Sequence, residues 1–224
     1  MTKNRAVIFD MDGILLDTEP LWGESMMRVA KNYEVPVTYP DLRFTTGLRI
    51  HEVTEFWQEK FPWKNNSISS FQIAEEILDD IIANAQENAD VMAGVIDHLE
   101  YLKHNNYKIG VATSSPTRMM ESLLSHFGIW GFFDATISAD SCDFGKPHPQ
   151  VYLKAAETLG ILSHNCIAIE DSLNGIIAAK AARMKVIAVP EERLQNDKRF
   201  GIADLLLQSL DHFSTEEWDG MWEV

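Results

Sequence analysis

Residues 7–19, VIFDMDGILLDTE, begin as a buried strand and then break its rules. Val7, Ile8 and Phe9 are apolar and β-favouring, Asp10 and Asp12 follow at once, and Gly13 marks a turn. In an extended chain residues i and i+2 point to the same side, so both acids face one small volume. Two carboxylates ~5 Å apart at an effective dielectric of ~20 repel by about 3 kcal/mol. The pattern calls for a positive charge at that spot, or for one acid to keep its proton.

Outward from this strand the chain has two textures. From residue 94 helix and strand alternate: GVIDHLEYLKHNN precedes YKIGVATSS, TRMMESLLSHFG precedes DATISA, PQVYLKAAETLG precedes CIAIED, and NGIIAAKAARM precedes KVIAVP. Gly128 is the expected C-terminal cap of the second helix. Such alternation implies an α/β fold, a Rossmann-like parallel sheet covered by helices on both faces. Residues 17–90 read instead as helices alone, the longest carrying Phe71, Ala74, Ile77, Leu78, Ile81, Ile82 and Ala85 as its apolar stripe. The expected organisation is a core of residues 1–16 and 91–224 with a helical cap domain, 17–90, inserted after the first strand. Phe56, Trp57, Phe61 and Trp63 read as cap core, and Ser214 with Glu217 as a capping box for a short final helix.

The bulk numbers narrow the partners. A chain of 224 residues, 46% hydrophobic, buries a sizeable core. A formal charge of −15 repels nucleic acid and anionic membrane alike, so an anionic substrate has to be held by local cations. No apolar run reaches the ~20 residues of a membrane span, and a cytoplasmic monomer or weak dimer is expected. Cys142 and Cys166 have no metal-ligand spacing and read as ordinary core or loop residues.

In open parallel sheets ligands bind outside the carboxyl ends of the strands. Asp10 and Asp12, then Thr113 and Ser114, then Glu170 and Asp171 occupy those places, with Lys146 on an intervening loop. Four acids with only oxygen ligands suit a hard cation such as Mg²⁺.

DMDGILLDTE, VATSS, GKPHPQVY and IEDSLNG, in that order, resemble the four motifs of the haloacid dehalogenase-like phosphohydrolase superfamily, most closely its hexitol-phosphate and 2-deoxyglucose-6-phosphate phosphatases and the β-phosphoglucomutases. The inserted helices fall where that superfamily carries its α-helical cap. The resemblance implies a Mg²⁺-dependent phosphomonoester hydrolase acting on a small sugar or polyol phosphate through an aspartyl-phosphate. It makes Asp10 the nucleophile and Asp12 the general acid and base; Thr113 and the Ser114 N–H hold phosphoryl oxygens and Lys146 neutralises charge. Asp10, Asp171 and the Asp12 carbonyl would bind Mg²⁺, with Glu170 as a direct or water-mediated partner. In the cap segment TTGLRI, Gly47 and Arg49 would face the substrate. The mutases carry a histidine where Trp22 stands; an indole only donates, so net hydrolysis is expected, with Trp22 packing on the sugar or sealing the cap. The rival readings are a phosphosugar mutase and a non-catalytic phosphosugar-binding protein, the latter expected to lack Asp10 or Lys146.

Overall fold

The computed structural model describes residues 4–42, 44–45, 48–61 and 68–222. Strands Ala6–Phe9 (β1), Lys108–Thr113 (β2), Ala135–Ser138 (β3), Cys166–Glu170 (β4), Lys185–Ala188 (β5) and Leu205–Leu206 (β6) form one parallel sheet in the order β3-β2-β1-β4-β5-β6. β1 is thus central, flanked by β2 and β4, and the strand order reverses beside it. That reversal opens a crevice at the carboxyl ends, where the sequence places its acids.

The register explains why β1 is apolar on every residue. Val7 lies between Ile109 and Ile167, and Phe9 between Val111 and Ile169, all in the core on one face of the sheet. Ala6 and Ile8 point the other way, into a second core with Ala112, Ala168 and Val186. A strand buried on both faces has no polar side to alternate with. Helices Val95–His104 (α5), Thr117–His126 (α6), Gln150–Leu159 (α7) and Leu173–Ala181 (α8) cover the faces. Gly128 follows α6 with φ +72°, the left-handed backbone expected of a C-terminal cap.

Helices Glu19–Asn32 (α1), Tyr39–Leu42 (α2), Ile50–Lys60 (α3) and Ser70–Asn88 (α4) intervene between β1 and α5. They share their own core, in which Val29, Ile50, Val53, Trp57, Ile73 and Ile77 are buried. The two chain crossings run side by side: the Asp17 N–H donates to the Asp90 carbonyl at 2.9 Å, and the Met92 N–H to the Leu15 carbonyl at 3.0 Å.

Some expectations need correction. Ile73, not Phe71, completes the buried stripe of α4; Phe71 is 61% exposed and stacks on His51. A helix that buries more than a third of its circumference leaves periodicity unable to say which edge residue turns inward. β6 is two residues of a polar-flanked run, too short to register as a strand from its pattern. Of the aromatic cap cluster, Trp57 is fully buried, Phe56 and Phe61 pack against it in part, and Trp63 lies outside the described residues. The final helix is Glu217–Gly220 (α9), and the backbone half of its capping box is present, the Ser214 N–H donating to Glu217 Oε2 at 2.7 Å. Both cysteines are free and buried. No helix among the described residues is long and apolar enough to cross a membrane.

The C-terminal segment is pinned through one buried histidine. Trp218 Nε1 donates to His98 Nδ1 at 3.0 Å, so His98 is neutral with its proton on Nε2, which donates to the Leu210 carbonyl at 3.1 Å. Burial lowers the His98 pKa below the ordinary 6.5, against the opposing pull of the Leu210 and Phe213 backbone. A histidine held neutral contributes fully above pH 6.5 and loses that contribution as pH falls below it. His98→Gln is therefore expected to lower stability by about 1–2 kcal/mol at pH 7.5, and the gap to the wild type should narrow towards pH 5. Urea unfolding at both pH values reads this; a gap that widens in acid would refute the neutral assignment.

Candidate active site

The residues singled out after β1, β2 and β4 converge. Asp10 directly follows β1, and its N–H donates to the Ile169 carbonyl at 2.9 Å, which prolongs the ladder by one step. Thr113 closes β2 and Glu170 closes β4. Lys146 reaches them from the loop before α7 with only 2% of its surface exposed. Its Nζ donates to Asp10 Oδ1 at 2.8 Å, to Glu170 Oε1 at 2.5 Å and to the Ala112 carbonyl at 3.0 Å. Burial by itself would lower the Lys146 pKa; Asp10 and Glu170 reverse this and hold it above the ordinary lysine value, so the group is an ammonium.

Glu170 is the most enclosed acid. Oε1 accepts from Lys146 and from the Tyr152 hydroxyl at 2.8 Å, while Oε2 accepts from the Ser172 N–H at 3.1 Å and the Ser172 hydroxyl at 3.0 Å. A carboxylate has about four lone-pair sites, and protein donors address all of them here. The Ser172 hydroxyl also accepts from the Gly175 N–H at 3.0 Å, capping α8 as its position predicts. Glycine at 175 is needed because a Cβ there would overlap the Glu170 carboxylate. Gly13 has a similar role: it adopts φ +72°, and a Cβ would sit 2.7 Å from Asp171 Oδ2.

Carboxylate oxygens of Asp10, Glu170 and Asp171 lie within 4.8 Å of one another, all three buried. Burial is the main influence on Asp10 and, with Glu170 and Asp12 outweighed only in part by Lys146, lifts its pKa to about 8. Burial, then Glu19 and Glu170, lifts Asp171 well above the carboxylate range. Such a group, made of oxygens and short of positive charge, fits a hard divalent cation.

Asp12 stands apart from that group. Its Oδ1 accepts from the Thr18 hydroxyl at 2.6 Å and Trp22 Nε1 at 2.9 Å, and its Oδ2 from the Ser115 hydroxyl at 2.5 Å. The donors come from the crossing into the cap, from α1 and from the loop after β2. Asp10 and Asp12 face one cavity, as the i, i+2 spacing suggested, and Asp12 contributes to the lift in the Asp10 pKa, but each acid has its own hydrogen-bond partners.

Above the acids lies a cavity of about 360 Å³. Asp10, Asp12, Thr113, Ser114, Lys146 and Asp171 line its core side, and Trp22 lines it as well as donating to Asp12. Thr113 Oγ1 accepts from the Ser115 N–H at 3.0 Å, which fixes the loop that presents Ser114. Arg49 does not line the cavity. Its Nε and Nη2 donate to Glu52 Oε1 at 2.9 and 2.5 Å and its Nη1 to the Cys142 carbonyl at 3.2 Å, so the guanidinium is committed to the helix it caps and to the core loop beneath. Gly47 lies outside the described residues.

Sequence reasoning missed Thr18, Ser115 and Tyr152, whose hydroxyls hold Asp12 and Glu170; their only signal is polarity beside a motif. Glu19, the first residue of α1, also lines the cavity, and burial followed by Asp12 lifts its pKa to about 7. Arg193 and Glu191, from the loop after β5, line it too.

A family model described as haloacid dehalogenase-like hydrolase matches residues 7–189. Among curated proteins the chain is 39% identical over 213 residues to hexitol phosphatase B of Escherichia coli strain K12, covering 95% of each. It is 35% identical over 184 residues to the phosphorylated carbohydrates phosphatase of Thermotoga maritima, covering 81% of this chain and 83% of that one. Among solved structures, a β-phosphoglucomutase from Clostridium difficile superposes with a TM-score of 0.84 at 26% identity, covering 99% of this chain and 97% of that one.

Proposed function

This chain belongs to the haloacid dehalogenase-like hydrolase family, and from that premise we propose that it hydrolyses phosphomonoesters of small sugars or polyols through an aspartyl-phosphate on Asp10. The observation that carries the reading is the Asp10 carboxylate held by the buried Lys146 ammonium at the base of the cavity. Asp10 attacks phosphorus and the ester oxygen departs with a proton from Asp12. Asp12 then takes a proton from a water whose oxygen attacks phosphorus; the Asp10–phosphorus bond breaks, and orthophosphate and the free carboxylate result. Thr18, Trp22 and Ser115 orient Asp12 for both transfers. Lys146 and the Thr113–Ser114 loop stabilise the charge that develops on the phosphoryl oxygens.

Mg²⁺ would be held by Asp10, Asp171 and the Asp12 main-chain carbonyl, with Glu170 behind them fixing Lys146. When bound, it supplies Lewis-acid stabilisation of the phosphoryl oxygens. Trp22 supports hydrolysis over mutase chemistry: its indole donates to Asp12 and has no basic nitrogen with which to accept a proton.

Orthophosphate release should be measured over a panel of sugar and polyol monophosphates with Mg²⁺ and after exhaustive chelation. Release is expected with the metal, at least about tenfold lower without it, and restored on adding it back; Mg²⁺ should also raise the melting temperature. Full activity after chelation, with no melting shift, would count against the metal assignment. Isomerisation of β-glucose 1-phosphate outrunning phosphate release would displace hydrolysis by a mutase.

A further inference from the structure

Of the groups gathered at the site, Lys146 has the least rigid support. Asp10, Thr113 and Glu170 stand on strands or directly after one, whereas Lys146 hangs from residues 142–149, between Ser141 and α7, where Asp143 and Phe144 are exposed. Side chains carried on strands are placed more precisely than those on loops. Lys146 Nζ must nevertheless meet Asp10, Glu170 and the Ala112 carbonyl at once, and in such a constellation a misplacement of ~1 Å costs about 10²-fold in rate.

The helical insertion rests directly on that loop. From the start of α3, Arg49 Nη1 donates to the Cys142 carbonyl at 3.2 Å, a contact that spans 93 residues of chain. Glu52 Oε1 accepts from Arg49 Nε and Nη2, and Glu52 Oε2 from the Arg49 N–H at 3.0 Å, so one carboxylate holds both the guanidinium and the first turn of the helix. The pair also lies against Gly145, the neighbour of Lys146: a Cβ there would stand 3.1 Å from Glu52 Oε2 and 3.2 Å from Arg49 Nε. With 23% and 31% of their side chains exposed, Arg49 and Glu52 form an ion pair that contributes little to stability. What it contributes is a fixed shape pressed on the loop.

We propose that Arg49 and Glu52 are positioning residues: packed on Cys142 and Gly145, they brace the loop from the side of the insertion and so set Lys146 against Asp10 and Glu170. The inference rests on the phosphatase reading and goes beyond it by giving Arg49 a target other than the substrate. Every phosphate ester uses the same lysine, so the brace raises turnover for all of them alike, whatever their alcohol.

The test follows a hexose 6-phosphate and 4-nitrophenyl phosphate in parallel. Arg49→Ala is expected to lower kcat for both by the same factor, at least about tenfold, with KM within about twofold of the wild type. Arg49→Lys keeps a charge for Glu52 but has one nitrogen in place of three; it should lose the Cys142 bridge and most of the rate at an unchanged melting temperature. Glu52→Gln should cost less, and little further in the Arg49→Ala background, because it acts mainly through Arg49. Amide hydrogen exchange reads the brace without turnover. The Phe144 N–H donates to Gln150 Oε1 at 3.2 Å and the His148 N–H to the Gly145 carbonyl at 3.0 Å, and both should exchange at least about tenfold faster in Arg49→Ala. A loss confined to the hexose ester would make Arg49 a substrate contact and overturn the brace. So would full turnover in Arg49→Lys, which would leave Arg49 as the N-terminal cap of α3 alone, or exchange that no variant changes. Should the wild type release phosphate from no ester, the phosphatase reading falls, and the exchange data still decide for or against the brace.

Discussion

Asp10→Asn is expected to reduce phosphate release by about 10⁴-fold or more while the protein stays folded with stability within about 1 kcal/mol of the wild type. Two arguments set these magnitudes. An amide is no nucleophile towards phosphorus, so the covalent route closes completely. The fold does not suffer, because Lys146 retains Glu170 and the Ala112 carbonyl as partners, and an amide oxygen can still accept from its Nζ. The substitution also removes one of three carboxylates that crowd within 4.8 Å of one another. Single-turnover phosphate release and urea unfolding on the same preparation separate the two claims. A folded variant with near-normal turnover would remove Asp10 from the nucleophile's role.

Gly175→Ala is expected to act in the opposite way, through the fold first. By helix propensity alone, replacing glycine in α8 would stabilise by about 1 kcal/mol. The added methyl, however, would overlap the Glu170 carboxylate, which Lys146, Tyr152 and Ser172 hold in place. Glu170 would have to leave those donors, and a buried ion-pair network that loses one member costs about 3–5 kcal/mol. The cost outweighs the propensity gain, for a net loss of about 3 kcal/mol and at least about a tenfold fall in turnover as Lys146 loses its anchor. Equal or greater stability in the variant would show that Glu170 has room to move, and would undo its assignment as the group that fixes Lys146.

The two substitutions also mark the boundary between what could be read along the chain and what could not. Asp10 was legible because it breaks a local rule: two acids at the end of an apolar run have no structural purpose, and Thr113 and Asp171 recur at equivalent strand ends. Gly175 was legible only as the end of a motif. The contact that requires glycine joins a helix to the strand before it, and no periodicity records that distance.

The sequence by itself determined the parallel sheet, its helical insertion and the carboxyl-end crevice. These depend on hydrophobic period and on where polar residues interrupt it, and both are properties of neighbours in the chain. Tertiary structure alone decided how the acids divide: Asp10 with Lys146, Glu170 saturated by Tyr152 and Ser172, and Asp12 drawn aside by Thr18, Trp22 and Ser115. It also decided that Arg49 serves Glu52 and Cys142 and is not among the residues lining the cavity. A side chain's charge is written in the sequence, but its partner is whichever donor or acceptor the packed fold brings within about 3 Å, and for a long, flexible arginine several candidates compete until the fold selects one.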